Sequence, residues 1–188
     1  MNKSRVLNIL FFLVIIALII PQTRTPIQIG VHKVLSLVKP VTFVDKSERI
    51  TISNYSWRLQ KEDGAIYNFN QTKGKVVVVN FWATWCPPCT AEMTSLDKLY
   101  MKYADSVEFL FITNDSPKTF KKFKKKKAYE FPVYNQLEKS PKELETTSIP
   151  RTLIINKNGE IVIDTYGAVD WFSNKVQKEI EALIKESI

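Results

Sequence analysis

Asn80-Phe81-Trp82-Ala83-Thr84-Trp85-Cys86-Pro87-Pro88-Cys89 places two cysteines, the only two in 188 residues, where a strand gives way to a helix. Immediately before it, Val76-Val77-Val78-Val79 is a short, unbroken β-branched run, the pattern of a strand buried on both faces. Pro87 and Pro88 suit the first turn of a helix, where a missing N–H costs little. The cysteines therefore fall at a helix N-terminus. There the helix dipole and the unpaired N–H groups favour an anion, so Cys86 should lose its proton more readily than a free thiol at about 8.5. Cys86 is the expected attacking thiolate, and Cys89, one turn on and facing inward, the expected resolving thiol.

Three plainer readings of the pair compete. A structural disulfide would close so small a loop that it restricts the unfolded chain little. Zinc needs about four nitrogen or sulfur ligands, and the only histidine, His32, lies far upstream. Inert core cysteines would not be separated by two prolines at a strand-to-helix junction. Dithiol redox chemistry accounts for the arrangement best.

A chain that is 45% hydrophobic and 24% charged is globular, and 188 residues allow one domain with an appendage. The appendage is N-terminal. Val6 to Thr23 carries no charge, Lys3 and Arg5 precede it, and as a helix it would reach about 27 Å, near the thickness of a thin bilayer. Ile19-Ile20-Pro21-Gln22-Thr23 lacks the small residues of a cleavage site, so the segment reads as an uncleaved transmembrane helix over 1–23. Lys3 and Arg5 would stay in the cytoplasm, which puts the rest of the chain on the periplasmic, oxidising side of the inner membrane. The formal charge of +8 would suit a nucleic-acid partner, but much of the excess is one stretch, Lys118 to Lys127. Its Phe120 and Phe123 fall three apart, so the lysines read as the solvated face of an amphipathic helix. Nucleic acid is excluded as a partner if that topology holds.

Residues 24–50 read as a juxtamembrane linker. Within it, Ile27, Val31, Val34, Leu35 and Val38 share one helical side ahead of Pro40, either as a helix on the membrane surface or as a simple tether. The folded domain is expected over 51–188. It opens with a hairpin, Trp57 to Leu59 and Ile66 to Phe69, turned at Asp63-Gly64. Strand Val76 to Phe81, the cysteine-bearing helix, strand Val107 to Thr113 and the lysine-rich helix follow. A second hairpin turns at Asn156-Lys157-Asn158-Gly159, and a helix from Asp170 to about Lys185 ends the chain. This series predicts an α/β domain: a mixed central sheet with helices on both faces. Ile149-Pro150 stands just before strand Arg151 to Ile155, where proline cannot donate to a ladder and the bond can be cis.

The C-x-x-C at a helix start, the Ile-Pro before a hairpin and the terminal helix together resemble the thioredoxin fold over roughly Thr51 to Ile188. The added N-terminal β-hairpin, Lys73-Gly74-Lys75, the Phe81 to Cys89 string and Ala91-Glu92-Met93 are similar to the membrane-anchored, extracytoplasmic disulfide reductases of the TlpA and ResA kind. The resemblance implies Cys86 as nucleophile and Cys89 as resolving thiol, working without a cofactor or metal. It also implies Trp85 in the docking surface, and Pro150 as the cis-proline whose neighbour Ile149 pairs by backbone with a client. Such β-augmentation grips a client without demanding a particular sequence. The implied partners are protein disulfide substrates, a membrane electron donor that re-reduces the pair, and the bilayer itself. Reduction of apocytochrome c before haem attachment is one such task.

The sequence departs from relatives at several positions. Where thioredoxin has a buried aspartate beneath the dithiol, this chain has Asn80, which cannot take a proton, so Glu92 becomes a candidate base or simply a dipole partner. Thr94 replaces a frequent proline. Arg151 stands where some relatives used in cytochrome maturation carry a carboxylate; a cation near Cys86 would make the couple more oxidising, or its side chain would point to solvent or client. Other readings of the same fold are a disulfide oxidase or isomerase, a thiol peroxidase, for which the usual preceding proline and threonine are missing, and a redox-responsive binding or chaperone module.

Overall fold

The computed structural model describes residues 3–186. Its centre is β3 (Val76–Phe81), every residue of which is buried, as the unbroken β-branched run requires. On one side β3 pairs in parallel with β4 (Val107–Ile112), and β4 in parallel with β5 (Val133–Gln136). On its other side lies β6 (Arg151–Ile155), antiparallel to β3 and to β7 (Ile161–Tyr166). The hairpin of β1 (Arg58–Lys61) and β2 (Ile66–Asn68) joins through β1 and β5, which gives a mixed seven-stranded sheet of order β2-β1-β5-β4-β3-β6-β7.

Both hairpin turns form where the sequence places them. Gly64 takes φ +90° beside an Asp63 carboxylate that accepts from the Ala65 N–H. Gly159 takes φ +80°, and a Cβ there would fall 2.3 Å from the Tyr55 hydroxyl, so glycine is required for space as well as for conformation.

The expected helices on both faces take a more lopsided form. The even-numbered valines Val76 and Val78 share one core with α3 (Pro87–Tyr103), α4 (Pro117–Lys127) and α5 (Asn174–Lys185). The odd-numbered Val77 and Val79 face Trp57 and Tyr67 of the N-terminal hairpin region and Phe69 and Leu144 of two 3₁₀ turns, with no α-helix among the described residues on that side. Two right-handed crossovers that step the same way, β3 to β4 to β5, must put both their helices on one face.

Residues read as linker are partly docked. Thr42 donates its N–H to Thr165 Oγ1, Phe43 bridges Ile163, Val44 donates to the Val162 carbonyl, and Ile50 and Ile52 bond Ile161 and Gly159. This extended segment covers the outer edge of β7, which would otherwise present unpaired backbone, so the boundary drawn at 51 cuts through a paired region. The expected single span is interrupted as well. The chain forms α1 (Lys3–Ile19) and α2 (Pro21–Ser36), bent by 96° from one another, and no single helix among the described residues is long and apolar enough to cross a membrane. The break falls at Ile20, the N-cap of α2. α2 packs along α3.

Candidate active site

The carboxyl end of β3 delivers Trp82 to Trp85 into a short loop, and α3 begins at Pro87 with Cys86 as its N-cap. Cys86 and Cys89 are joined as a disulfide. Cys86 Sγ accepts the Cys89 N–H at 3.2 Å, so the first free donor of the helix already points at the sulfur expected to carry negative charge. Cys89 is fully buried beneath it. Trp85 projects beside the pair at 71% exposure. The loop is held from outside by Asp115, whose carboxylate accepts the Thr84 N–H at 2.7 Å. Asn135 Nδ2 in turn bonds the carbonyls of Thr113 and Asp115. The place of Asp115 past the end of β4, next to the end of β3, is where α/β sheets gather functional loops.

The peptide bond Ile149-Pro150 is cis, and the Ile149 carbonyl oxygen lies 4.0 Å from Cys86 Sγ. Trp85, Asp115, Gln136, Thr146 and Ile149 line a groove of about 800 Å³ alongside. The structure thus brings Cys86, Cys89, Trp85, Ile149 and Pro150 together at one rim.

Arg151 follows Pro150 as a buried residue. Its guanidinium is buried, forms a two-bond fork with Asp164 at 2.8 and 2.7 Å, and donates to the carbonyls of Glu145 (2.7 Å) and Glu143 (3.3 Å) while stacking on Tyr166. It does not point to solvent. It pins the 143–149 loop that ends in Ile149.

Glu92 sits one turn past Cys89, only 1% exposed. Its carboxylate accepts from Asn80 Nδ2 at 3.0 Å and from Trp171 Nε1 at 2.9 Å. Burial pushes its carboxyl up from 4.5 to about 8, against the opposing pull of those two hydrogen bonds, the Val169 backbone and the Lys39 charge. Asn80 also donates to Thr152 Oγ1 at 2.7 Å, and its own Oδ1 is buried without a hydrogen-bond partner. Asn80 and Glu92 thus form one buried polar unit. Trp171, which the sequence does not mark as a site residue, completes it; an indole whose N–H is buried needs an acceptor. Among the described residues no group of three or more His, Cys, Asp or Glu is arranged to hold a metal ion.

Residues 55–163 match the model of the AhpC/TSA family. The thiol-disulfide oxidoreductase ResA of Halalkalibacterium halodurans is 33% identical over 109 residues, 55% of this chain and 61% of that protein. ResA of Bacillus thuringiensis (strain Al Hakam) is 30% identical over 129 residues, 66% of this chain and 70% of that protein. Against the first of these the chain spans about three fifths of the relative's length. Among solved structures, a DsbF homologue from Corynebacterium diphtheriae superposes with TM-score 0.59 at 21% identity, covering 76% of this chain and 90% of that one. A secreted thiol-disulfide isomerase from Corynebacterium glutamicum gives 0.60 at 19% identity, covering 79% and 93%. These two share the thioredoxin-like fold. With its family match over more than half the chain and its likeness to ResA around a closed C-x-x-C pair, the chain belongs to the AhpC/TSA family and is a ResA-like member of it.

Proposed function

We propose that the protein is a membrane-anchored, extracytoplasmic thiol:disulfide oxidoreductase that reduces disulfides in client proteins, apocytochrome c among the candidates. The observation that carries the reading is the Cys86–Cys89 pair at the start of α3, with Cys86 Sγ 4.0 Å from the Ile149 carbonyl at the edge of an open groove. In the reduced protein the Cys86 thiolate attacks one sulfur of a client disulfide, a Cys86–client bond forms, and the first client thiolate leaves. Cys89, as thiolate, then attacks Cys86 Sγ and expels the second client thiolate. The client has gained two electrons and the enzyme pair is oxidised; a membrane electron donor returns it to the dithiol. The client strand is held by backbone pairing at Ile149 and by contact with Trp85.

Glu92, with its carboxyl near 8, exchanges a proton in the range where a thiol titrates, which suits it to take the Cys89 proton during resolution. α1, apolar along most of its length, is the segment that enters the bilayer as the anchor; at the helical rise it reaches roughly 25 Å, short of the about 30 Å that a full span takes. Cys89→Ser tests the exchange. It should accumulate mixed disulfides through Cys86 that run as heavier species on a non-reducing gel and vanish in Cys86→Ala/Cys89→Ser. No trapped species under oxidising conditions would sink the proposal.

A further inference from the structure

We propose that α2 is a membrane-surface helix: its apolar stripe of Ile27, Val31, Val34 and Leu35, continued by Val38, is seated in the interfacial layer of the bilayer that α1 enters, and holds the redox domain there at a fixed orientation. The inference rests on α1 being an anchor and goes further, from a tether to a seat.

A surface helix of a globular domain turns its apolar stripe toward the core. α2 does the reverse. Its covered side carries Gln28, Ile29 and His32, half-buried, and Ser36, buried, and the helix packs along α3. The apolar residues, spaced as one helical face, stand outside, with Val34 at 66% and Val38 at 77% exposure. The helix is not free to roll this stripe inward. The Ser36 carbonyl accepts the Asp170 N–H at 3.1 Å, Lys39 Nζ donates to the Tyr166 carbonyl, and the chain then enters its pairing with β7.

Two observations identify lipid as the occupant. α1 runs into α2 across a single break with an angle of 96°; if one helix stands near the bilayer normal, the other lies near its plane. The stripe therefore begins where the anchor leaves the hydrocarbon. Arg24 and Lys33, both exposed on α2, supply the cations that an interfacial helix sets against anionic headgroups. Because α2 also packs along the helix bearing Cys89, seating it would fix the height and tilt of the dithiol above the membrane, where a membrane-embedded electron donor must reach it.

The test uses the full chain with Cys86→Ser/Cys89→Ser, reconstituted in phosphatidylethanolamine/phosphatidylglycerol nanodiscs containing nitroxide-labelled lipid. An environment-sensitive fluorophore is placed in turn at Val34→Cys, Val38→Cys and Ala65→Cys, the last on the exposed β1–β2 turn at the opposite edge of the sheet. All three positions are exposed, so folding is preserved. Fluorophores at 34 and 38 should be quenched by the nitroxide at least about threefold more than at 65, as a helix sunk into the headgroup boundary requires. Equal quenching at all three positions overturns the seat. Shielding of 34 and 38 from an aqueous quencher without quenching by nitroxide lipid also overturns it, in favour of a second copy of the chain. Flotation with vesicles after an alkaline wash reads the anchor separately: a chain that floats but shows equal quenching loses only the seat, whereas one that fails to float loses both.

Discussion

Glu92 is a carboxyl held where a carboxylate is poorly solvated, with two donors, Asn80 Nδ2 and Trp171 Nε1, that offset only part of the cost. Its folded state binds a proton more tightly than the unfolded chain does. The stability this confers is full below about 4.5, declines as pH rises, and is lost through about 8. By pH 7 the ionisation mismatch works against folding by of order 3 kcal/mol. Glu92→Gln should therefore flatten the profile, so that the difference in stability between variant and wild type shifts in the variant's favour from pH 5 to pH 8 in denaturant titrations. Asn80 can turn its unpaired Oδ1 toward the new amide, which limits the local loss. If Glu92 takes the Cys89 proton, the same variant should also lose the inflection near 8 in the pH profile of mixed-disulfide resolution. An unchanged inflection would assign that proton to another group. Glu92 was visible in the sequence as a candidate base because of its spacing from Cys89. Its environment was not, since Trp171 lies 79 positions away and meets it only after α3 and the chain before α5 pack together.

The loop from Glu143 to Ile149 shows how an element is positioned by a residue outside it. Arg151 reaches back from β6 to two of its carbonyls while Asp164 of β7 fixes the guanidinium. Lysine can keep the ion pair with Asp164 but lacks the planar fork that serves the carbonyls at the same time. Arg151→Lys should leave the fold intact and raise KM for a protein disulfide client by about tenfold with little change in kcat, the signature of lost uniform binding. An unaltered KM would show that the loop holds its own shape. Here the sequence supplied the residue and left three directions open for its side chain. The structure buries it against Asp164, which belongs to a strand paired with β6 and carries no mark of that role in the sequence.

At the scale of the molecule, strands, helices and both hairpin turns were legible from valine runs, helix caps and Asp-Gly or Asn-Gly steps, which are local signals. Strand order was not local. Nothing in the sequence announces that β5 continues outward from β4, and it is that order which collects α3, α4 and α5 on one face and leaves the other to Trp57, Phe69 and their neighbours. The docking of residues 42–52 on β7 was equally hidden, since most of its bonds are between backbone groups that any residue carries. What these layers produce together is a cysteine pair at the end of the central strand, with Cys89 sealed beneath Cys86 and a groove open at its side. The central claim, that this pair donates electrons to clients, is tested most directly by the reduction potential of Cys86/Cys89 in the full chain, equilibrated against glutathione. The account predicts a value toward the about −270 mV of thioredoxin; a value near the about −120 mV of a strong periplasmic oxidant would contradict it and make the protein a source of disulfides.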